Sequence, residues 1–193
     1  KRQPLFSESA EKGAQFIQLC NQQDIPILFL QNITGYMVGK DFEHSGIVKN
    51  GSKMINAVSN STVPHITVIL GNSYGAGNYG MSGRAFNTRF TYLWPTAKIA
   101  IMGPKQIAGV MSLVRRGQAA RKGLEFDEEA DRKTTEQVEY YHEQKSLALY
   151  ATGRVTDDGI IDPRDTRDIV AMSLSACHNN AIEGAEGFGV FRM

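Results

Sequence analysis

Apolar positions along the first half of the chain fall into two rhythms. Over residues 8–22, Ala10, Ala14, Ile17 and Cys20 recur at helical spacing and predict a helix with a narrow apolar stripe. Next, "IPILFL" at residues 25–30 is a continuous apolar run of strand length. It does not alternate, which predicts a parallel strand buried on both faces. After the loop "QNITGYMVG", residues 43–60 read as a second helix with Ile47, Gly51, Met54 and Val58 on one face. A glycine there weakens a helix by about 1 kcal/mol against alanine, so Gly51 predicts a neighbour packed close. Pro64 then opens a strand "HITVIL" that ends at Leu70. Helix, strand, loop, helix, strand, loop is a βαβ rhythm and predicts parallel strands.

Beyond residue 85 the pattern loosens. "FTYLWP" and "KIAIM" predict two short strands, and Pro104 sits where a helix can start without losing a bond. That helix carries Ile107, Val110, Met111 and Val114. Residues 115–146 are charged and poor in aliphatics, which predicts a solvated helical hairpin or arm, pinned by Phe126, Val138 and Tyr141 and packed on a partner subunit. Asp162-Pro163 then signals a last helix, with Ile169, Met172, Ser173 and Ala176 on one face.

Composition narrows the picture. With 193 residues, 41% of them hydrophobic, one core and one domain are expected. Lys plus Arg is 21 and Asp plus Glu is 20, so nothing in the charge points to nucleic acid or an acidic membrane. No apolar stretch is long enough to predict a transmembrane helix. The opening "KRQPLFSESAEKG" lacks both an initiator Met and the apolar run of a signal peptide, so it reads as cut from a longer chain or processed. Cys20 and Cys177 read as buried thiols in a reducing compartment. The four histidines are scattered and no Cys-x-x-Cys exists, so no metal site is expected.

Candidate chemistry concentrates in "GNSYGAGNYGMSG", residues 71–83, five glycines in thirteen residues after a strand. Glycines at a strand-to-helix junction let the main chain approach a ligand and expose backbone N–H groups, which stabilise negative charge developing on oxygen. No Gly-Lys-Ser/Thr follows, so this is not a nucleotide phosphate loop. Gly71-Asn72-Ser73-Tyr74-Gly75 does match Gly-x-Ser-x-Gly, making Ser73 a candidate nucleophile with His142 or His178 as base, although no triad acid can be chosen. Tight packing through small residues is the plainer alternative and can coexist with an oxyanion role. "NITGYMVG" is a second glycine-bearing strand end, where Gly35 and Gly39 could admit a flat ligand and Tyr36 pack on it, or an ordinary βα loop; ligands gather at such ends in parallel sheets. Arg115, Arg116, Arg121 and Lys122 form a small basic cluster, either phosphate-facing or solvent-facing. The aspartates at 157, 158, 162, 165 and 168 suggest carboxylate catalysis or the decoration of a helix start.

"FLQNITGYMVG", "SYGAGNYGMSGRAF", "WPTAKIAIMG", "DDGIIDPRDTR" and the ending "FGVFRM" together resemble the carboxyltransferase (beta) subunits of biotin-dependent acyl-CoA carboxylases, in particular the methylcrotonyl-CoA and geranyl-CoA branch. The resemblance runs over essentially the whole chain, 1–193, and covers only the C-terminal half of such a subunit. It implies a crotonase-like (ClpP/crotonase) α/β fold of repeated β-β-α units with mostly parallel strands and a C-terminal helical region. It implies carboxyl transfer from carboxybiotin to the γ carbon of 3-methylcrotonyl-CoA, with geranyl-CoA, propionyl-CoA or acetyl-CoA as alternatives. Biotin would arrive on a biotin carboxylase/biotin carrier alpha subunit, and the freed biotin nitrogen would act as base. The chain's own N-terminal domain would supply most of the acyl-CoA pocket, within a homo-oligomer of beta subunits. The resemblance places Gly75 and Ala76 as backbone oxyanion donors, and Thr34, Gly35, Tyr36, Tyr74 and Gly77 around the biotin. It implies a cytoplasmic protein in a bacterium and a mitochondrial-matrix protein in a eukaryote. Gly103-Pro104-Lys105, "HNNAIEG" and "HEQKSLALYATGR" depart from the methylcrotonyl pattern and leave the acyl chain open.

Overall fold

The protein's structure, a computed structural model, describes residues 3–191, and its strands join one sheet with every pairing parallel. The strands are β1 (Gln3–Leu5), β2 (Ile27–Tyr36), β3 (His65–Tyr74), β4 (Phe90–Leu93), β5 (Lys98–Ala100) and β6 (Gly159–Ile160). Their order is β1-β2-β3-β4-β6, with β5 paired to the far end of β3. The helices are α1 (Ser7–Gln22), α2 (Lys40–His44), α3 (Ile47–Asn60), α4 (Gly75–Gly80), α5 (Pro104–Lys122), α6 (Glu128–Ser146), α7 (Ala148–Thr152) and α8 (Thr166–Cys177).

One face of the sheet is closed by α1 and α3. Ala10, Ala14, Ile17 and Cys20 of α1 are the residues the helical spacing selects, and they pack with Met54, Ala57 and Val58 of α3 over Ile27, Phe29 and Ile33 of β2. Gly51 lies in the buried face of α3 because the Tyr36 ring fills the space beside it; a Cβ there would sit 2.9 Å from Tyr36 Cε1. On the opposite face α8 sets Val170 on Ile66 and Val68 of β3, with Tyr92 and Trp94 alongside. Trp94 Nε1 donates to Thr166 Oγ1 at 3.0 Å, and Asp158 Oδ2 accepts from Arg84 Nη1 at 2.8 Å and from the Thr91 amide at 2.7 Å. Sequence stretches far apart along the chain therefore dock on one another. The last described stretch closes over α1: the Gly184 amide donates to Asp24 Oδ1 at 2.8 Å and the Ala185 amide to Asn21 Oδ1 at 3.1 Å. Phe188 and Phe191 pack against the α1–α3 core, while Arg192 and Met193 of the "FGVFRM" signature lie outside the described residues.

Four expectations need correction. The second strand is not buried on both faces: exposure alternates along β2, and Leu28 and Leu30 are 44% and 50% exposed. Their cross-strand partners Ile66 and Val68 lie under α8, whose cover does not reach β2. The helix over residues 43–60 breaks at Gly46, whose φ of 91° ends α2 and starts α3. The third strand does not stop at Leu70 but runs through Tyr74. In α8 the buried stripe is Val170, Ser173 and Cys177, and Met172 is 73% exposed.

The charged segment is a helical hairpin, as its pattern predicts. Gly123 turns the chain at φ 64°, and Asp127 caps α6 by accepting the Ala130 amide at 2.9 Å. Arg115 Nε reaches the buried Asp131 at 2.6 Å, while Arg116 forks onto Glu128 and lies over the Phe126 ring. The apolar stripe of α5 is left uncovered, with Val110, Met111, Leu113 and Val114 all exposed.

Candidate active site

The ends of β2 and β3 are shaped by an irregularity. Gln31 pairs with Ile69, yet Ile33 pairs with Ser73, so two steps along β2 match four along β3. The surplus is taken up as a bulge around Gly71, where Asn32 Oδ1 accepts the Asn72 amide at 3.1 Å. The chain then turns at Gly75, in the left-handed region at φ 54°, where a Cβ would also meet the Ile101 carbonyl oxygen at 2.9 Å. This turn carries α4 across the end of β2. A Cβ on Gly77 would lie 2.9 Å from Gly35 Cα and 3.1 Å from Gly35 N. The glycine density in residues 71–83 thus has a physical reason: Gly75 and Gly77 meet neighbouring backbone, and Gly71, Gly80 and Gly83 meet the Asn32, Tyr36 and Asn78 side chains, in space that a Cβ would fill.

Ala76 is exposed on the ridge between two clefts. One, of about 310 Å³, is apolar, walled by Tyr36, Met37, Val38, Ile47 and Ile55. The other, of about 550 Å³, is bounded by Gly75, Asn78, Tyr79, Ile99 and Ile101. Amides at the start of a helix have no acceptor within it, so the main chain around Ala76 can offer N–H donors to an oxygen in either cleft. Among the described residues, the titratable side chains lining the two clefts are Tyr36, Glu43 and Tyr79. Tyr36 OH donates to the Gly51 carbonyl at 3.3 Å, and burial pushes its phenol up to about 12, so it holds its proton near neutrality.

Of the site residues expected from sequence, Gly75, Ala76 and Tyr36 line the clefts, while Thr34, Gly35, Tyr74 and Gly77 do not. Ala76 lines both clefts, Gly75 the larger and Tyr36 the smaller. Gly35 and Gly77 form the contact between the end of β2 and α4. Thr34 is exposed on the outer face of β2, the face that carries Leu28 and Leu30. Tyr74 is buried, and its ring supports Gly103 from below: a Cβ on Gly103 would lie 3.6 Å from Tyr74 Cε2.

Ser73 is not placed as a nucleophile. It is fully buried, its hydroxyl donates to Gln31 Oε1 at 2.5 Å, and it accepts from Asn78 Nδ2 at 2.7 Å. The aspartates are also structural: Asp157 accepts from Thr152 Oγ1 and the Gly159 amide, Asp158 ties β4 to Arg84, and Asp162 accepts the Arg164 amide. Arg115 and Arg116 spend their charge on Asp131 and Glu128.

Sequence reasoning missed a buried polar layer beneath α4. His65 Nδ1 meets Ser82 Oγ and its Nε2 meets Ser61 Oγ, both at 2.8 Å, while the Ser82 carbonyl accepts from Thr67 at 2.7 Å and Thr88 at 3.0 Å. Burial lowers the His65 imidazole to about 4, so it is neutral. Polar residues at alternate positions of an apolar strand, His65 and Thr67 in β3, were the available signal.

Residues 4–190 match the family described as the carboxyl transferase domain. The chain is 56% identical over 189 residues to a probable biotin-dependent acyl-coenzyme A carboxylase beta2 subunit of Mycobacterium tuberculosis, covering 98% of this chain and 36% of that protein. It is 54% identical to a probable mitochondrial methylcrotonoyl-CoA carboxylase beta chain of Drosophila melanogaster, covering 98% and 32%. Among solved structures, the geranyl-CoA carboxylase beta subunit of P. aeruginosa superposes with a TM-score of 0.86 at 39% identity, covering 98% of this chain and 35% of that one. The parallel sheet and its helices are those of the crotonase-like α/β fold. The chain spans about a third of the length of these relatives.

Proposed function

Because this chain belongs to the carboxyl transferase domain family, we propose that it is the C-terminal part of an acyl-CoA carboxylase beta subunit and forms the biotin-side wall of its active site. The subunit transfers a carboxyl group from carboxybiotin to the γ carbon of 3-methylcrotonyl-CoA. The observation that carries this reading is Ala76 on a ridge of main chain between two clefts, with an apolar cavity on one side. Gly77 and Gly35 let α4 close on β2, and Gly75 turns the chain against the Ile101 carbonyl, which leaves the main chain at Ala76 open to a flat ring in the clefts beside it. Biotin, carried on an alpha subunit, supplies the activated carboxyl group when bound.

The chain's own residues bind and orient. The Gly75 and Ala76 amides would hold charge developing on the ureido oxygen, and Tyr36 would wall the smaller cleft beside them. Preorganised donors of this kind need no titrating side chain, in keeping with a protonated Tyr36. The acyl-CoA wall comes from the subunit's N-terminal domain. The exposed stripe of α5 packs on another beta subunit in a homo-oligomer, which brings the two walls together. The Drosophila relative is mitochondrial by name, so a eukaryotic host would place this subunit in the mitochondrial matrix and a bacterial host in the cytoplasm.

The test is kcat/KM for methylcrotonyl-, geranyl- and propionyl-CoA side by side, using the full-length subunit with its biotinylated partner. Methylcrotonyl-CoA is expected to be preferred. Each buried methylene is worth roughly 0.8 kcal/mol, so a pocket built for the geranyl chain would discriminate strongly. A preference for geranyl-CoA replaces the acyl chain in this reading, and a preference for propionyl-CoA overturns its branched-enoyl part.

A further inference from the structure

We propose that Gln31, Ser73 and Asn78 form a buried clamp that positions α4 for carboxyl transfer, an inference resting on the reading of the main chain at Gly75 and Ala76 as the donors. Helix α4 cannot hold itself. It has six residues, "GAGNYG", three of them glycine, the weakest helix former after proline. Its one turn and a half lies below the length at which helices persist unaided. Its orientation must therefore come from what lies beneath it.

Beneath it lie directional bonds. Ser73, two residues before α4, accepts from Asn78 in the middle of the helix and donates to Gln31 on the neighbouring strand. Gln31 Nε2 donates to the carbonyl of Met81, just past the helix end, at 2.6 Å. Gln31 and Ser73 are fully buried, and both polar ends of each are used. The start, middle and end of α4 are thereby referred to one point on β2. Apolar packing would fill the same space, but it would let a short helix rotate or slide. Hydrogen bonds in a dry interior penalise such motion, because each broken bond leaves an unsatisfied group. Catalysis by oriented donors has that sensitivity: a displacement of about 1 Å can cost on the order of 100-fold in rate.

The clamp predicts a graded loss of kcat at Ser73 in the full-length subunit, assayed with its biotinylated partner and the acyl-CoA the parent prefers. Ser73→Ala should lower kcat roughly 10- to 100-fold, with KM for acyl-CoA within about twofold of the parent. Ser73→Cys, close in shape but a weak hydrogen-bonding group, should fall between. Asn78→Ala combined with either variant should cost little beyond the larger single loss, since each disturbs the same Ser73–Asn78 bond. A folded Ser73→Ala enzyme within twofold of the parent kcat overturns the clamp, as do additive losses or a KM that rises in step. If Ser73→Ala does not fold, Ser73→Cys decides alone: an unchanged kcat overturns the proposal. Ala76→Val, run in parallel, separates the two readings. Normal turnover in Ala76→Val removes the donor reading and the clamp with it, whereas an inactive Ala76→Val beside a normal Ser73→Ala removes the clamp alone.

Discussion

Ala76 lies in α4 and His65 bonds Ser82 just past its end, yet the two should respond to mutation in opposite ways. Ala76 is exposed, so Ala76→Val should leave stability within about 0.5 kcal/mol. Its branched Cβ should nevertheless obstruct the donors, and losing one such donor typically costs about 3 kcal/mol in the transition state, roughly 100-fold in kcat. Parallel measurement of turnover and urea midpoint checks this; a fall in stability that accounts for the lost activity would make Ala76 a packing residue. His65 should do the reverse. Its folded value, about 4, lies below the ordinary 6.5, so the folded protein refuses a proton that the unfolded chain accepts. Stability is then complete above pH 6.5 and falls as the pH descends from 6.5 towards 4, by about 3 kcal/mol across that window. Urea unfolding at pH 7 and pH 5 should differ by roughly 2 kcal/mol on this account. His65→Gln should remove most of the difference, and an unchanged pH dependence in that variant would contradict the assignment. At this scale the sequence shows which glycines matter, because steric freedom belongs to the residue itself. It misleads at Ser73, where a Gly-x-Ser-x-Gly match says nothing of burial, and burial decides the role.

Among the elements, legibility follows what each apolar face touches. The stripes of α1 and α3 are readable as Ala10, Ala14, Ile17, Cys20 and Ile47, Gly51, Met54, Val58 because both helices bury a single face inside this chain. Strand β2 and helix α5 break the rule in one way. Leu28, Leu30, Val110, Met111, Leu113 and Val114 are apolar yet exposed, so their pattern was written for surfaces that the described residues do not provide. A periodicity argument finds such a face but not its cover. In α8, where Ile169, Val170, Met172 and Leu174 are all apolar, spacing alone cannot choose the buried side. A charge on the α5 stripe tests its role directly. Val110→Asp with Leu113→Asp should leave α5 and α6 paired, since that pairing rests on Arg115, Ser112 and Asp131. It should lower the assembly state of the full-length subunit and reduce turnover at least tenfold, because burying an unpaired charge costs several kcal/mol. Sedimentation analysis reads the first effect; an unaltered oligomer would show that the stripe faces something else.

On the proposed reading, the whole molecule presents one wall of a composite site. The chain spans about a third of the length of its relatives, and Ala76 lies exposed between two clefts. The 193 residues alone should therefore show no carboxyl transfer, because positioning needs both walls. Supplying the rest of the subunit together with carboxybiotin should restore it. Measurable turnover by the isolated chain would count against a composite site.

The closure of the final stretch over α1 has a consequence for how the polypeptide comes to be made. Asn21 accepts from the amide of Ala185, 164 positions later in the chain, and Asp24 accepts from that of Gly184, 160 positions later. During synthesis the first helix and strand leave the ribosome long before the segment that latches them. The nascent chain must carry α1 unlatched while about 160 further residues are added, at about 5–20 residues per second. Contacts of such sequence separation form late and slow the final step. Nascent chains stalled before residue 184 should thus be open to protease within α1, and chains released with the latch complete should be protected.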